Sequence, residues 1–432
     1  MPYKKSKILL TVIATSSISC ASFAQEVVDV KVDDLTIDVY ENNKLVSEEN
    51  IYASTYYINK REYTRSRESL PSTGIMQQYT NWKKQLADDT GLSYSVNLSV
   101  LGQRGAPNGK TTAIQFQASP SLSWQIFNNE YGTGTINASY TPTRYWNSTS
   151  GADLTNRLSV LSAINDNTTK ANSFGTLNYS QQFAGNMDWF GFTIGQFEIS
   201  DFDGTNYDSN QQINFLNYAL SQNGSSSYPS ASLGAYLTFT ISDDWQINVG
   251  MQDANNISGT SISSSDFGKG KYTSFASVSY TPVIAGLGAG QYSILFYNQP
   301  GVSAQPGTSN GWSVNFEQAL NNSVAIFGRA NGVINSPNTI QQSYVIGSVY
   351  NNPLGRNALD QIGFATAVNK TNKKVVSSDN IRSYETLLEL YWAWGVENWL
   401  TITPDVQFYI NPALDASKNF ATVASLRTTF MF

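Results

Sequence analysis

Carboxylates, guanidinium groups and aromatic rings recur at strand-like spacing between Arg144 and Tyr409, and together they could bind a small hydrophilic solute. Charged groups exchange hydrogen bonds with hydroxyls as water is stripped away. Aromatic faces pack on the apolar faces of a solute. The candidates are Arg144 beside Tyr145 and Trp146; Glu198, Asp201 and Asp203; Glu317; Phe327 and Arg329; Glu385, Glu389 and Tyr391; and Asp405 with Tyr409. Phe327 and Arg329 would put a ring and a charge on one strand face. The alternative for any one of them is a charge that pairs with a neighbour and never meets solute. Arg427 reads as structural. Paired carboxylates also permit glycoside hydrolysis, but no local carboxylate motif supports an enzyme.

Other chemistries are excluded by composition. The chain has no histidine, and its single cysteine, Cys20, lies in what reads as an export signal over residues 1–24. Lys4, Lys5 and Lys7 start that signal, an apolar run from Ile8 to Ile18 follows, and Ser22-Phe23-Ala24 offers a cleavage site. Ser17-Ile18-Ser19 is a poor lipidation context for Cys20. The remainder therefore lacks disulfides, Ser-His-Asp or Cys-His catalysis, and His or thiolate metal sites; no cofactor is implied. Removing three lysines from 26 basic residues leaves 23 against 32 acidic, a net charge of −9. With no basic cluster, nucleic acid is not an expected partner.

The elements that must position the candidates are strands. Only 13% of residues are charged, while Phe, Tyr and Trp number 21, 25 and 9. A typical soluble domain is about a quarter charged. No window after residue 25 approaches the roughly 20 apolar residues of a spanning helix. Aromatic girdles, a polar lumen and polar loops are what a transmembrane barrel requires. Alternation runs from about residue 93 onward: Tyr94, Val96, Leu98 and Val100 against Ser93, Ser95, Asn97 and Ser99; Trp245, Ile247 and Val249 against Gln246 and Asn248. One face of each strand is apolar and the other carries amides, hydroxyls and carboxylates, which predicts lipid outside and a wet lumen inside. Val324 and Ile326 take the lipid face, so Phe327 and Arg329 point inward. The same logic sends Glu317, Glu385, Glu389, Tyr391, Asp405 and Tyr409 inward.

Asn128-Asn129, Asp243-Asp244, Asn321-Asn322 and Glu397-Asn398 read as short periplasmic turns. Asn147 to Asp153, Asn223 to Ser230, Ile257 to Lys271 and Gln299 to Asn310 read as extracellular loops. From Ser93 onward there is room for roughly 14 to 18 strands. The last strand ends in Phe432, with Ala424, Leu426, Phe430 and Phe432 on one face, and resembles the terminal signal that barrel-assembly machinery reads. Residues 25–75 do not fit the pattern. They read as a polar extension, either a solvated linker or a periplasmic tether to peptidoglycan or another envelope structure. A short helix is expected over Gln77 to Asp89, ended by Gly91.

At that helix the chain begins to resemble the carbohydrate-selective, OprB-like porins of Gram-negative outer membranes. Tyr79 to Leu86 and Thr90 to Tyr94 are similar to the family's opening helix and first strand. Gly191 to Phe197, Asp201 to Asp203, Phe215 to Asn217, and Tyr228 to Ser230 leading to Leu233-Gly234-Ala235 are similar to its central region. Gly311 to Gln318 with Phe327 to Arg329, Tyr384 to Tyr391, Trp399 to Gln407 and Asn411-Pro412 follow in the family's order. The resemblance covers residues 76–432. It implies an all-β fold, a transmembrane antiparallel barrel of 16 strands, and passive diffusion of small hydrophilic solutes, with sugars favoured. General or cation-preferring diffusion and a structural, envelope-tethering barrel are the alternatives.

Overall fold

A computed structural model describes residues 74–107, 112–262, 267–357 and 359–432. The expected export signal and all but the end of the polar extension lie outside the described residues.

Among the described residues, sixteen antiparallel strands form the wall. The first eight are β1 (Leu92–Ala106), β2 (Thr112–Asn129), β3 (Gly132–Tyr145), β4 (Ala171–Phe183), β5 (Phe190–Phe197), β6 (Ser232–Thr240), β7 (Trp245–Asp253) and β8 (Tyr272–Tyr280). The others are β9 (Gly288–Gln299), β10 (Ser309–Ala319), β11 (Val324–Ile334), β12 (Ile340–Asn351), β13 (Gln361–Thr371), β14 (Tyr384–Glu397), β15 (Leu400–Ile410) and β16 (Phe420–Met431). The two-residue piece Val283–Ile284 pairs beside β9. Each strand pairs with its sequence neighbours, and β16 pairs with β1, with Leu98 opposite Phe430 and Leu101 opposite Arg427. Closure removes the free edges that a membrane does not tolerate. No described helix is long and apolar enough to cross a membrane, which says nothing against crossing by strands.

The alternation has its expected result. On β9, Phe296 is 60% exposed while the adjacent Leu295 is 0% exposed. Ile194, Val314, Ile346, Phe364 and Leu426 share the exposed outer face. Aromatic pairs mark both rims of this apolar band. At the short-turn end Trp245 stacks on Tyr280 (4.4 Å) and Trp399 on Phe430 (6.1 Å). At the long-loop end Phe116 stacks on Trp146 (5.8 Å) and Phe408 on Phe420 (6.0 Å). All four turns read as short fall at one end and all four long loops at the other, as strand parity demands. The opening helix, α1 (Gly74–Thr90), starts three residues before the expected Gln77. Gly91 ends it at φ +73°, and a Cβ there would lie 2.3 Å from the Gln125 carbonyl oxygen, so only glycine fits.

The lumen departs from the sequence expectation. It is not polar throughout, because two long connections fold into it. Residues 146–170, between β3 and β4, carry the helix α2 (Gly151–Leu158), capped by a reciprocal Ser150–Asp153 box. Leu154 and Leu158 bury against β1 at Gly105, where an added Cβ would meet Leu158 at 2.8 Å. Residues 198–231, between β5 and β6, include the one-turn helix α3 (Tyr218–Ser221). Leu154, Leu158, Val160, Ile164, Phe215, Ala219 and Leu220 pack on an inward apolar surface of the wall formed by residues such as Ala365, Ala367, Leu387, Ala393, Ala421 and Val423. Phe197, Ile199 and Phe202 make a second cluster with Tyr236, Phe275, Leu295 and Tyr297.

Candidate functional site

Polar wall residues hold the infolded chain in place. Glu389 accepts backbone N–H bonds from Leu216 (2.5 Å) and Asn217 (3.0 Å). Glu385 does the same for Leu161 (2.6 Å), Ser162 (2.9 Å) and Ala413 (3.0 Å). Glu317 takes the Asn206 backbone N–H (2.8 Å) and its side-chain amide (2.9 Å). Each carboxylate satisfies chain groups that would otherwise be buried without partners. Arg427 supplies the reverse pattern, donating to the carbonyls of Gln211, Ile213 and Asn214. Tyr409 accepts a bond from the Asn217 side chain at 2.7 Å.

Arg329 is the centre of a larger network. Its Nη2 lies 2.9 Å from Asp208 Oδ2 and donates to the Asp208 carbonyl at 2.7 Å, while Nε donates to Asn315 Oδ1 at 2.9 Å. Asp203 stands 3.9 Å from Nε. Its oxygens accept from Asn223 (2.7 Å), Tyr228 (3.1 Å), Ser313 (2.6 Å) and Asn315 (3.2 Å). The network therefore binds residues 203–228 to β10 and β11.

The infolded segments also bind one another. Tyr218 N donates to the Ala163 carbonyl at 3.0 Å, and Asp166 N to Gln211 Oε1 at 2.8 Å. Wall amides reach the same chain, with Gln103 and Gln407 both donating to the Ile164 carbonyl.

The structure gathers most of the candidates but gives them to the loops. Phe327, Arg329, Glu385, Glu389, Tyr391, Asp405 and Tyr409 all point inward and are buried, as is Glu317. The two aromatic platforms are covered rather than open: Phe215 lies 5.5 Å from Phe327 and 4.8 Å, edge-on, from Tyr391. Arg144 belongs to the opposite face. Thr143 is fully buried inside and the Tyr145 hydroxyl bonds the lumenal Gln115, so alternation turns Arg144 outward opposite Phe116. There it bonds the Thr143 and Ala171 carbonyls and Asn172.

Glu198 and Asp201 remain half-buried on the infolded chain, joined by Asp166 from the other segment. Burial, followed by the neighbouring Asp201 carboxylate, pushes Glu198 up to about 8. Burial pushes Asp166 up to about 6, against the Gln222 amide bonded to it. Asp166 was missed in the sequence because it lies in a loop without alternation. Among the described residues no group of three or more His, Cys, Asp or Glu side chains is arranged to hold a metal ion.

Residues 176–432 match the OprB family of carbohydrate-selective porins, beginning later than the resemblance from residue 76. The chain is 38% identical over 351 residues to porin AaxA of Chlamydia abortus, covering 79% of this chain and 78% of that one. To porin AaxA of Chlamydia pneumoniae it is 37% identical over 348 residues, 78% of each chain. The high-pH structure of Pseudomonas putida OprB shares the fold, with a TM-score of 0.69 and 16% identity over 84% of this chain and 99% of that one.

Proposed function

Because the chain belongs to the carbohydrate-selective porin family, whose members are passive diffusion channels, we propose that it favours small neutral sugars among hydrophilic solutes. The observation that supports this preference is the infolded chain. It narrows the bore and presents half-buried Asp201, Asn206, Tyr207, Asn210, Tyr218 and Tyr228, alternating hydrogen-bonding groups with rings. Such a surface exchanges hydrogen bonds with sugar hydroxyls and packs on sugar rings. The wall residues Glu317, Phe327, Arg329, Glu389 and Tyr391 set the position of that surface. In this reading the long loops face the cell exterior, the short turns face the periplasm, and Phe432 serves the assembly machinery. Membership in a porin family favours a channel over a hydrolase. Liposomes containing the protein should swell faster in a monosaccharide than in a dipeptide of similar size. Equal rates would refute the sugar preference and leave a general porin.

A second reading, preference for cations, is favoured by the grouping of Glu198, Asp201 and Asp166. A carboxyl whose value is raised is uncharged below that value and charged above it. The cluster therefore gains negative charge as pH rises through about 6 and then about 8. The cation-to-anion permeability ratio, read from reversal potentials, should rise about twofold between roughly pH 5 and pH 9. In Asp166→Asn with Glu198→Gln that rise should flatten.

A further inference from the structure

Helix α1 lies on the lipid side of the barrel, not in the lumen. Its Tyr79 ring meets Phe432 edge-on at 6.5 Å, and its hydroxyl lies 3.0 Å from that of Tyr94. Trp82 lies 6.2 Å from Tyr94, and the Lys83 ammonium sits 4.8 Å above the same ring. At the helix end, Trp124 donates its indole N–H to the Thr90 carbonyl at 3.1 Å, and Gln125 N donates to the Gly91 carbonyl at 2.9 Å. The wall partners face outward. Asn97 and Ser99 of β1 and Ser123 of β2 are buried inside, so Tyr94 and Trp124 take the outer face by alternation, and Thr429 inside puts Phe430 and Phe432 outside. The helix thus spans β16, β1 and β2, the strands around the closing seam, at the height of the short-turn aromatic rim.

Among the described residues, none packs against one side of this helix. Ile75 is 82% exposed and Trp82 51% exposed, and seven residues apart they lie one above the other. Leu86 shares this arc, on the other side of Ile75 from Trp82 on the helical wheel. Gln77, Asn81, Lys84 and Asp88 occupy the opposite arc. The exposed apolar edge continues directly into the lipid-facing surface of β1 and β2. A helix with one apolar edge, an interfacial tryptophan and a polar arc is suited to lying in the plane of a bilayer surface.

We propose that α1 is an interfacial strap that inserts Ile75 and Trp82 into the short-turn leaflet and holds the β16–β1–β2 seam against the phospholipid surface. The bilayer is favoured over a second copy of this chain because the wall on which the helix rests is itself lipid-facing. The single cysteine, Cys20, allows a clean test in a Cys20→Ser background. Nitroxide labels at Ile75→Cys, Trp82→Cys, Asn81→Cys and Asp88→Cys are read in the full-length protein, reconstituted in phosphatidylethanolamine–phosphatidylglycerol vesicles. Positions 75 and 82 should be relaxed by oxygen and shielded from a water-soluble nickel chelate, matching a label at the wall position Phe364. Positions 81 and 88 should show the reverse. An unlabelled arm compares wild type with Trp82→Phe, and the Trp82 emission should be quenched by acyl-brominated lipid. Nickel accessibility at 75 and 82 equal to that at 81 would place the helix in water and overturn the proposal. Shielding from both reagents would mean a protein partner, and would overturn it equally.

Discussion

Arg329→Met should raise single-channel conductance in planar bilayers roughly twofold while leaving the heat resistance of the barrel intact. Arg329 is buried, and the substitution removes the partner of Asp208 at 2.9 Å and the nearest cation to Asp203. Breaking one side of a buried ion pair costs about 3–5 kcal/mol because the other charge is left without compensation. The wall does not depend on this pair, since each strand keeps its ladder of backbone bonds. The loss therefore falls on residues 198–231, which should leave the lumen wall for part of the time and widen the bore. Arg329→Lys, which keeps the charge but cannot form the fork to Asn315 and Asp208, should fall between. Noise from loop movement should increase with the mean conductance. An unchanged current in Arg329→Met would remove Arg329 from the account of the constriction.

Arg427→Met is expected to release the same segment from another part of the wall. Three backbone carbonyls, those of Gln211, Ile213 and Asn214, lose a charged donor in a buried setting. Hydrogen bonds to charged groups contribute about 1.5–3 kcal/mol each, so the segment should lose about 3–5 kcal/mol after partial relaxation. The guanidinium also lies within electrostatic reach of Glu389 and Asp405, which would be left facing each other. Limited proteolysis from the long-loop side should cut within residues 198–231 in this variant and not in wild type. Because both arginines hold one segment, Arg329→Met with Arg427→Met should exceed either single variant by less than the sum of their effects.

The wall was legible because its physics is local. Strand alternation put Phe327 and Arg329 inside from the outward positions of Val324 and Ile326. The final Phe-ended strand and Gly91 marked both ends of the barrel. What alternation could not show was an inner face that is itself apolar. In Phe364-Ala365-Thr366-Ala367-Val368 both faces carry small or apolar groups, so the strand looks lipid-facing throughout, yet Ala365 and Ala367 floor the infolded chain. The infolding left one signal in the sequence. Ile213, Phe215 and Leu216 lie in a long connection between strands, and a loop exposed to water has no use for three such residues so close together. Arg144 departs from the expected inward position for a simpler reason: adjacent residues on a strand face opposite ways, so it cannot share the inward face of Thr143 and Tyr145. Both Glu389 contacts and two of the three Glu385 contacts are to backbone N–H groups more than 150 residues away, as the 173-residue separation of Leu216 and Glu389 shows. No local pattern encodes a partner at that distance.

The central claim is that residues 198–231, held by Arg329 and Arg427, form the narrowest part of a diffusion channel. Polymer exclusion tests it most directly, by measuring the conductance of wild type and the double arginine variant with poly(ethylene glycol)s of graded radius in the bath. The account predicts that wild type excludes polymers that enter the double variant and depress its current. Identical cut-offs in the two proteins would contradict it.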